Sequence, residues 1–183
     1  MKDIRPYWDP EKRIARSTTG ELIWNASAGF VTVNTPRTQA VIGFLSTGPH
    51  ELATVTLRST TNFGAIYVTA MDAEATIESA HRLLVTAVGP VRNTGMEYET
   101  TSQPSPLGTP YSRLREAGKA PALLEAVTGQ IEIRSRLAGQ LKAWTLDVVG
   151  NRVREIPLAV KSDVLVLDMQ SHAKTVYYEI ATE

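Results

Sequence analysis

The strongest constraint on this chain is a period-two alternation of apolar and polar residues that runs from Glu21 almost to the C-terminus. It is clearest in Phe30–Asn34, Ala53–Ser59, Ile131–Arg136, Trp144–Val148 and Thr175–Ile180, with Gly, Pro, Asn or Asp in the gaps. A period of two sends successive side chains to opposite faces, the pattern of an antiparallel sheet with one face buried. The expected fold class is therefore all-β, an antiparallel β-sandwich of jelly-roll-like character. Its 183 residues suffice for one such domain with a substantial core.

Turn chemistry agrees with this reading. Val149-Gly150-Asn151-Arg152 between two alternating runs is a tight hairpin signal, because Gly and Asn tolerate positive φ. Thr100–Pro121 holds four prolines and many small polar residues, which oppose both helix and ladder strand. Two explanations compete: a linker between small domains, or a long surface loop of one domain. The flanking strand groups are each small for an independent core, so residues 1–183 are read as a single sandwich with a Pro-rich loop at about 100–121.

Composition removes several functional classes. Lysine plus arginine number 19, and aspartate plus glutamate also 19, so the large positive field of a nucleic-acid binder is missing. No basic patch or apolar span points to a membrane. The absence of cysteine removes disulfides and thiolate chemistry. The N-terminal residues have no apolar stretch behind their charges, so no signal peptide is read there. The chain is then either cytoplasmic or a piece of a longer protein whose targeting signal lies elsewhere.

No catalytic constellation assembles from spacing. His50, His81 and His172 sit far apart beside turns and read as solvated loop residues. No Gly-x-Ser-x-Gly elbow or phosphate loop is present. The carboxylates Glu97, Glu99, Glu132, Asp147, Glu155 and Glu179 occupy polar phases, where acids keep a sheet face soluble. The expected function is thus non-enzymatic. No cofactor is called for; a structural calcium in a loop is conceivable, but no Asp-rich motif announces it.

The aromatics separate by phase. Trp24 runs with Leu22, Phe44 with Ile42, Trp144 with Leu146 and Val148, and Tyr178 with Val176 and Ile180, so these are expected in the core. Tyr67 and Tyr177 fall on polar phases, while Trp8, Tyr98 and Tyr111 lie in or beside loops. Exposed rings are stacking platforms for the C–H face of a pyranose, with amides and guanidinium groups binding its hydroxyls. The candidate carbohydrate-binding residues are Trp8, Tyr67, Tyr98, Tyr111 and Tyr177, with Arg92 and Asn93 as polar partners. In the competing reading these rings are structural. Trp8 then pins the N-terminal segment, while Tyr67 and Tyr177 cover sheet edges.

A series of segments carries a resemblance. It runs through Arg16–Trp24, Gly29–Gln39, Gly43-Phe44, Ala65–Asp72, Arg82–Gly89 and Asn93–Met96, then Trp144–Asp147, Gly150-Asn151 and Thr175–Ile180. The series resembles the β-sandwich accessory domains that follow β/α-barrel catalytic domains in large bacterial glycoside hydrolases. The resemblance implies an extracytoplasmic polysaccharide-degrading parent, a non-catalytic role, and two partners: a polysaccharide and the catalytic domain of the same parent chain. It brings no ligand residues of its own. Within it, Pro36 is expected to start a turn, and Arg37 and Gln39 to tie down loop carbonyls. Two other readings remain: a pure packing domain that docks the catalytic barrel, and a small β-barrel enzyme or carrier with Trp24 and Trp144 lining a cavity.

Overall fold

A computed structural model of the chain describes residues 5–100, 111–169 and 175–183. It divides into two compact units, one formed by Met1–Gly89 with Ala126–Glu183 and the other by Pro90–Glu125. The first unit opens with β1 (Trp8–Asp9), β2 (Ile14–Arg16), β3 (Leu22–Asn25), β4 (Phe30–Asn34), β5 (Thr38–Phe44), β6 (His50–Glu51), β7 (Val55–Ser59), β8 (Phe63–Ala70) and β9 (Arg82–Val88). The second unit holds β10 (Val91–Thr94), β11 (Glu97–Thr100), β12 (Ser112–Glu116) and β13 (Lys119–Leu124). The chain then returns to the first unit with β14 (Gly129–Arg134), β15 (Lys142–Leu146), β16 (Arg152–Ile156), β17 (Leu158–Lys161), β18 (Val164–Asp168) and β19 (Tyr177–Ala181).

The all-β antiparallel expectation holds. In the first unit a ten-stranded sheet runs β1-β2-β3-β4-β5-β8-β9-β19-β15-β16, and a five-stranded sheet runs β17-β18-β14-β7-β6. Their facing sides form one core. Val41, Ile66, Val68, Leu83, Val85, Tyr178 and Ile180 from the long sheet pack with Val55, Leu57, Ile131, Ile133, Leu165 and Leu167 from the short one, all buried. Strict alternation generates this arrangement: in β8 the buried residues Ile66 and Val68 are flanked by half-buried Ala65, Tyr67 and Thr69. The chain moves between sheets where a residue cannot continue a ladder. Val153–Val160 reads as one strand in the sequence, yet Pro157, with no N–H to donate, ends β16 in the long sheet and the chain resumes as β17 in the short one.

Two loops are fastened as their residues suggest. Arg37 donates from its guanidinium to the carbonyls of Asp72 (2.7 Å) and Ala73, and Gln39 spans from the carbonyl of Thr35 (3.4 Å) to the amide of Thr54 (3.0 Å). The β15–β16 hairpin turns at Gly150, whose φ is +90°. Asp147 braces that turn, accepting hydrogen bonds from the Val149 and Asn151 amides and the Asn151 side chain.

In the second unit β10 pairs with β13 and β11 with β12. Residues 111–121, expected as loop, thus contribute to two strands. Pro121 is accommodated because the register slips there: Asn93 lies opposite Ala122, but Thr94 opposite Lys119. The carbonyl of Pro121 accepts a hydrogen bond from Thr94 Oγ1 at 2.8 Å. Residues 101–110 lie outside the described residues. Among the described residues no helix is long and apolar enough to cross a membrane.

One close approach sets the geometry of β4 against β5. Gly43 sits at φ +126°, and a Cβ placed on it would lie 2.3 Å from the Gly29 carbonyl oxygen. Gly20, at φ +75°, has open space around the same position. Gly43→Ala is therefore expected to destabilise the first unit by more than about 2 kcal/mol in chemical denaturation, with Gly20→Ala costing about 1 kcal/mol. Equal losses for the two substitutions would remove the steric argument.

Candidate functional site

The face of the long sheet turned away from the core gathers much of the chain's aromatic surface. Directly opposed residues in an antiparallel ladder share a face. One row runs Trp8, Ala15, Trp24, Val31, Ile42, Ala65 across six strands. A second runs Ala40, Tyr67, Thr86, Tyr177 across β5, β8, β9 and β19. Their strand neighbours Ile66, Val68, Val85 and Tyr178 point into the core, so both rows lie on the outer side. Three expected ligand residues, Trp8, Tyr67 and Tyr177, thus occupy one surface, each half-buried.

Two rings assigned to the core belong to this surface instead. Trp24 is 52% exposed and Phe44 42% exposed. In β3 both phases are apolar, Leu22 and Trp24 on one side and Ile23 on the other, so phase alone does not select the buried side. In β5 the inward position next to Phe44 is Gly43, and Phe44 packs edge-to-face on Phe63 with centroids 5.4 Å apart. Trp144 is buried, but on the outer side: Ala143 and Thr145 take the inward positions opposite Ile180 and Tyr178. The Trp144 ring is covered by Arg152, whose guanidinium carbon stands 3.7 Å from its centroid.

Arg152 leads to the polar half of the face. Glu179, expected to be a solvated acid, is 4% exposed. Its position on β19 lies opposite Leu84 on β9 and Trp144 on β15. Arg82 donates through Nε to Oε1 of Glu179, and Arg152 through Nε to Oε2. Burial pushes the Glu179 carboxyl up, but the hydrogen bonds and charges of Arg152 and Arg82 outweigh it and hold the group below the usual carboxylate range. These residues, with Asp72, His81 and Asn151, line an open groove of about 690 Å3. Asp72 accepts the backbone amides of His81 (2.6 Å) and Arg82 (3.1 Å) at Oδ2, which fixes the entry into β9.

The remaining expected residues lie in the second unit. Tyr98 and Tyr111 are exposed, and the Arg92 guanidinium stands 5.7 Å from the Tyr98 ring centroid. Asn93 donates from Nδ2 to the carbonyl of Ala117 at 3.0 Å, a bond within its own unit. The expected set is therefore divided, three residues on the long sheet and four in the second unit.

The histidines differ from one another. His50 is buried, not solvated; its Nε2–H donates to the Leu45 carbonyl (3.1 Å) and its ring meets Phe30 edge-on at 4.7 Å. His81 is exposed, and His172 lies outside the described residues. Among the described residues no three His, Cys, Asp or Glu side chains come together in a way that could hold a metal ion.

No family model matches the chain, and no curated protein or solved structure matches it either.

The Glu179 clamp has a direct signature in stability. Its folded pKa lies below the unfolded value, so its contribution is present above that value and lost as pH falls through the folded pKa. Glu179→Gln is expected to lower stability at pH 7 by about 1–3 kcal/mol and to flatten the acid limb below about pH 4.3. Thermal melts of both proteins across pH 2–7 measure this, and parallel acid limbs would contradict it.

Proposed function

We propose that the chain is a non-catalytic accessory module of a glycoside hydrolase system and that it recognises carbohydrate on the outer face of its long sheet. The observation that carries this reading is the row Tyr67–Thr86–Tyr177 beside the Arg82–Glu179–Arg152 cluster, on one open surface. Tyrosine rings on a sheet give a flat apolar platform with polar hydroxyls, suited to the C–H face of a pyranose. Threonine hydroxyls and guanidinium N–H groups beside them supply the directional bonds that fix a sugar ring. A site of this openness supports modest affinity, with Kd on the order of 10⁻³ to 10⁻⁵ M. The resemblance to accessory domains of large bacterial glycoside hydrolases fits this role. It would place the module, and the catalytic domain it serves, outside the cytoplasm.

A second reading has its own support. Leu22, Trp24, Phe44 and Phe63, on β3, β5 and β8 of the same face, are all exposed and apolar, a composition that favours docking against another protein surface over hydrogen-bonding a sugar. In that reading the module is structural and packs against the catalytic barrel of its parent.

Native affinity electrophoresis against soluble xylans, mixed-linkage glucans, mannans and pectins separates the two. Glycan recognition predicts retardation by one class, weakened about tenfold or more by Tyr177→Ala or Tyr67→Ala and left intact by Tyr98→Ala. Retardation by no glycan selects the packing domain, and loss on Tyr98→Ala alone moves the site to the second unit.

A further inference from the structure

We infer that the arginine pair on the outer sheet face is a subsite for the carboxylate of an acidic sugar, so that the glycan recognised is a uronate-containing polysaccharide. This rests on the carbohydrate-recognition reading and names its ligand class. Both oxygens of Glu179 are taken by the Nε atoms of Arg82 and Arg152. The Nη groups of both arginines have no acceptor among the described residues, although their side chains remain 55% and 42% exposed. One buried carboxylate therefore holds two guanidinium groups by their Nε–H, and both partly exposed arginines line the groove. Stacking on Trp144 fixes the plane of Arg152 as well.

What this pair offers a ligand is donors only. A neutral sugar presents hydroxyls that both donate and accept, and it is matched best by a mixed set. A carboxylate only accepts, and its two oxygens fit a guanidinium edge in bidentate fashion. Asp72 lines the same groove but spends Oδ2 on the amides that open β9. Asp147 is folded into its own turn with Asn151. Nearby Lys142 is paired with Glu183 and, at 3.9 Å, with Glu155, so it does not compete for the ligand. Tyr177 lies two residues from Glu179 on the same face of β19, about 7 Å along the strand. A pyranose stacked on Tyr177 therefore brings a C5 carboxylate within reach of the arginine pair.

Pectin provides a matched probe, because methyl esterification masks the carboxylate and leaves the galacturonan backbone unchanged. The whole chain is run in native gels containing polygalacturonate, its methyl ester, mixed-linkage glucan or dextran sulfate. The inference expects retardation by polygalacturonate at least tenfold stronger than by the ester or by dextran sulfate. It also expects Arg82→Gln to lose that preference. Arg152→Lys, which keeps the charge but not the fork, should lose it too, with thermal melts verifying that both variants fold. Tyr177→Ala should weaken every glycan bound. Equal retardation by acid and ester, or binding of neutral glucan alone, overturns the inference while leaving carbohydrate recognition standing. Equal retardation by dextran sulfate overturns it as well, since the pair would then read charge and not a carboxylate. Retardation by none of these polymers overturns the inference, and the same null result with the xylans and mannans overturns the reading on which it rests.

Discussion

The structure depends on the seal between the inner faces of two sheets in the first unit. Once Ile66, Val68, Val85, Tyr178 and Ile180 are committed to Leu57, Ile131, Ile133, Leu165 and Leu167, the pleat leaves no freedom in what stands outside. A slip of one residue in β8 or β19 would exchange Tyr67 or Tyr177 for a core residue and lose a buried face at once. The outer surface is thus the complement of the core, and its aromatic rows are set by the hydrophobic effect acting on the other side of the backbone.

On that outer surface the decisive interaction is ionic. Strand β19 carries a carboxylate at a position that the sheet buries, and a buried charge needs partners. The partners come from the start of β9 and the start of β16, 97 and 27 residues away in sequence. Their convergence ties three stretches of chain together and sets rigid cationic donors beside a tyrosine ring. In the proposed reading stability and recognition would share these residues, because Glu179 takes the Nε–H of each arginine and the ligand would meet the rest of each guanidinium.

Much of this was legible where the two phases of a strand differ in polarity. β14 alternates cleanly in polarity and β8 in burial, and Tyr67 and Tyr177 fall outside as their phase requires, although Glu179 on the outer phase of β19 is buried as well. Legibility failed where both phases are apolar, as in β3, so Trp24 read as core. It failed again where an aliphatic stem and guanidinium cover a ring, so that Trp144 is buried without facing the core. Glu179 read as a solubilising acid because its partners are non-local; no spacing rule links Arg82, Arg152 and Glu179. Pro121 read as a strand breaker, and the register slip that accommodates it leaves no local signal. Arg37 holds the carbonyls of the β8–β9 loop, the fastening role its sequence position suggested, whereas Arg82 and Arg152 were not singled out.

Hydroxyl-radical footprinting of the chain, with and without saturating galacturonan oligosaccharide, tests most directly whether the outer face of the long sheet is the recognition surface. The account predicts that ligand suppresses oxidation of Tyr67 and Tyr177 while Tyr98 and Tyr111 oxidise at unchanged rates. Protection confined to Tyr98 and Tyr111, or protection nowhere at ligand concentrations well above 10 mM, roughly ten times the weakest Kd expected of such a site, would contradict it.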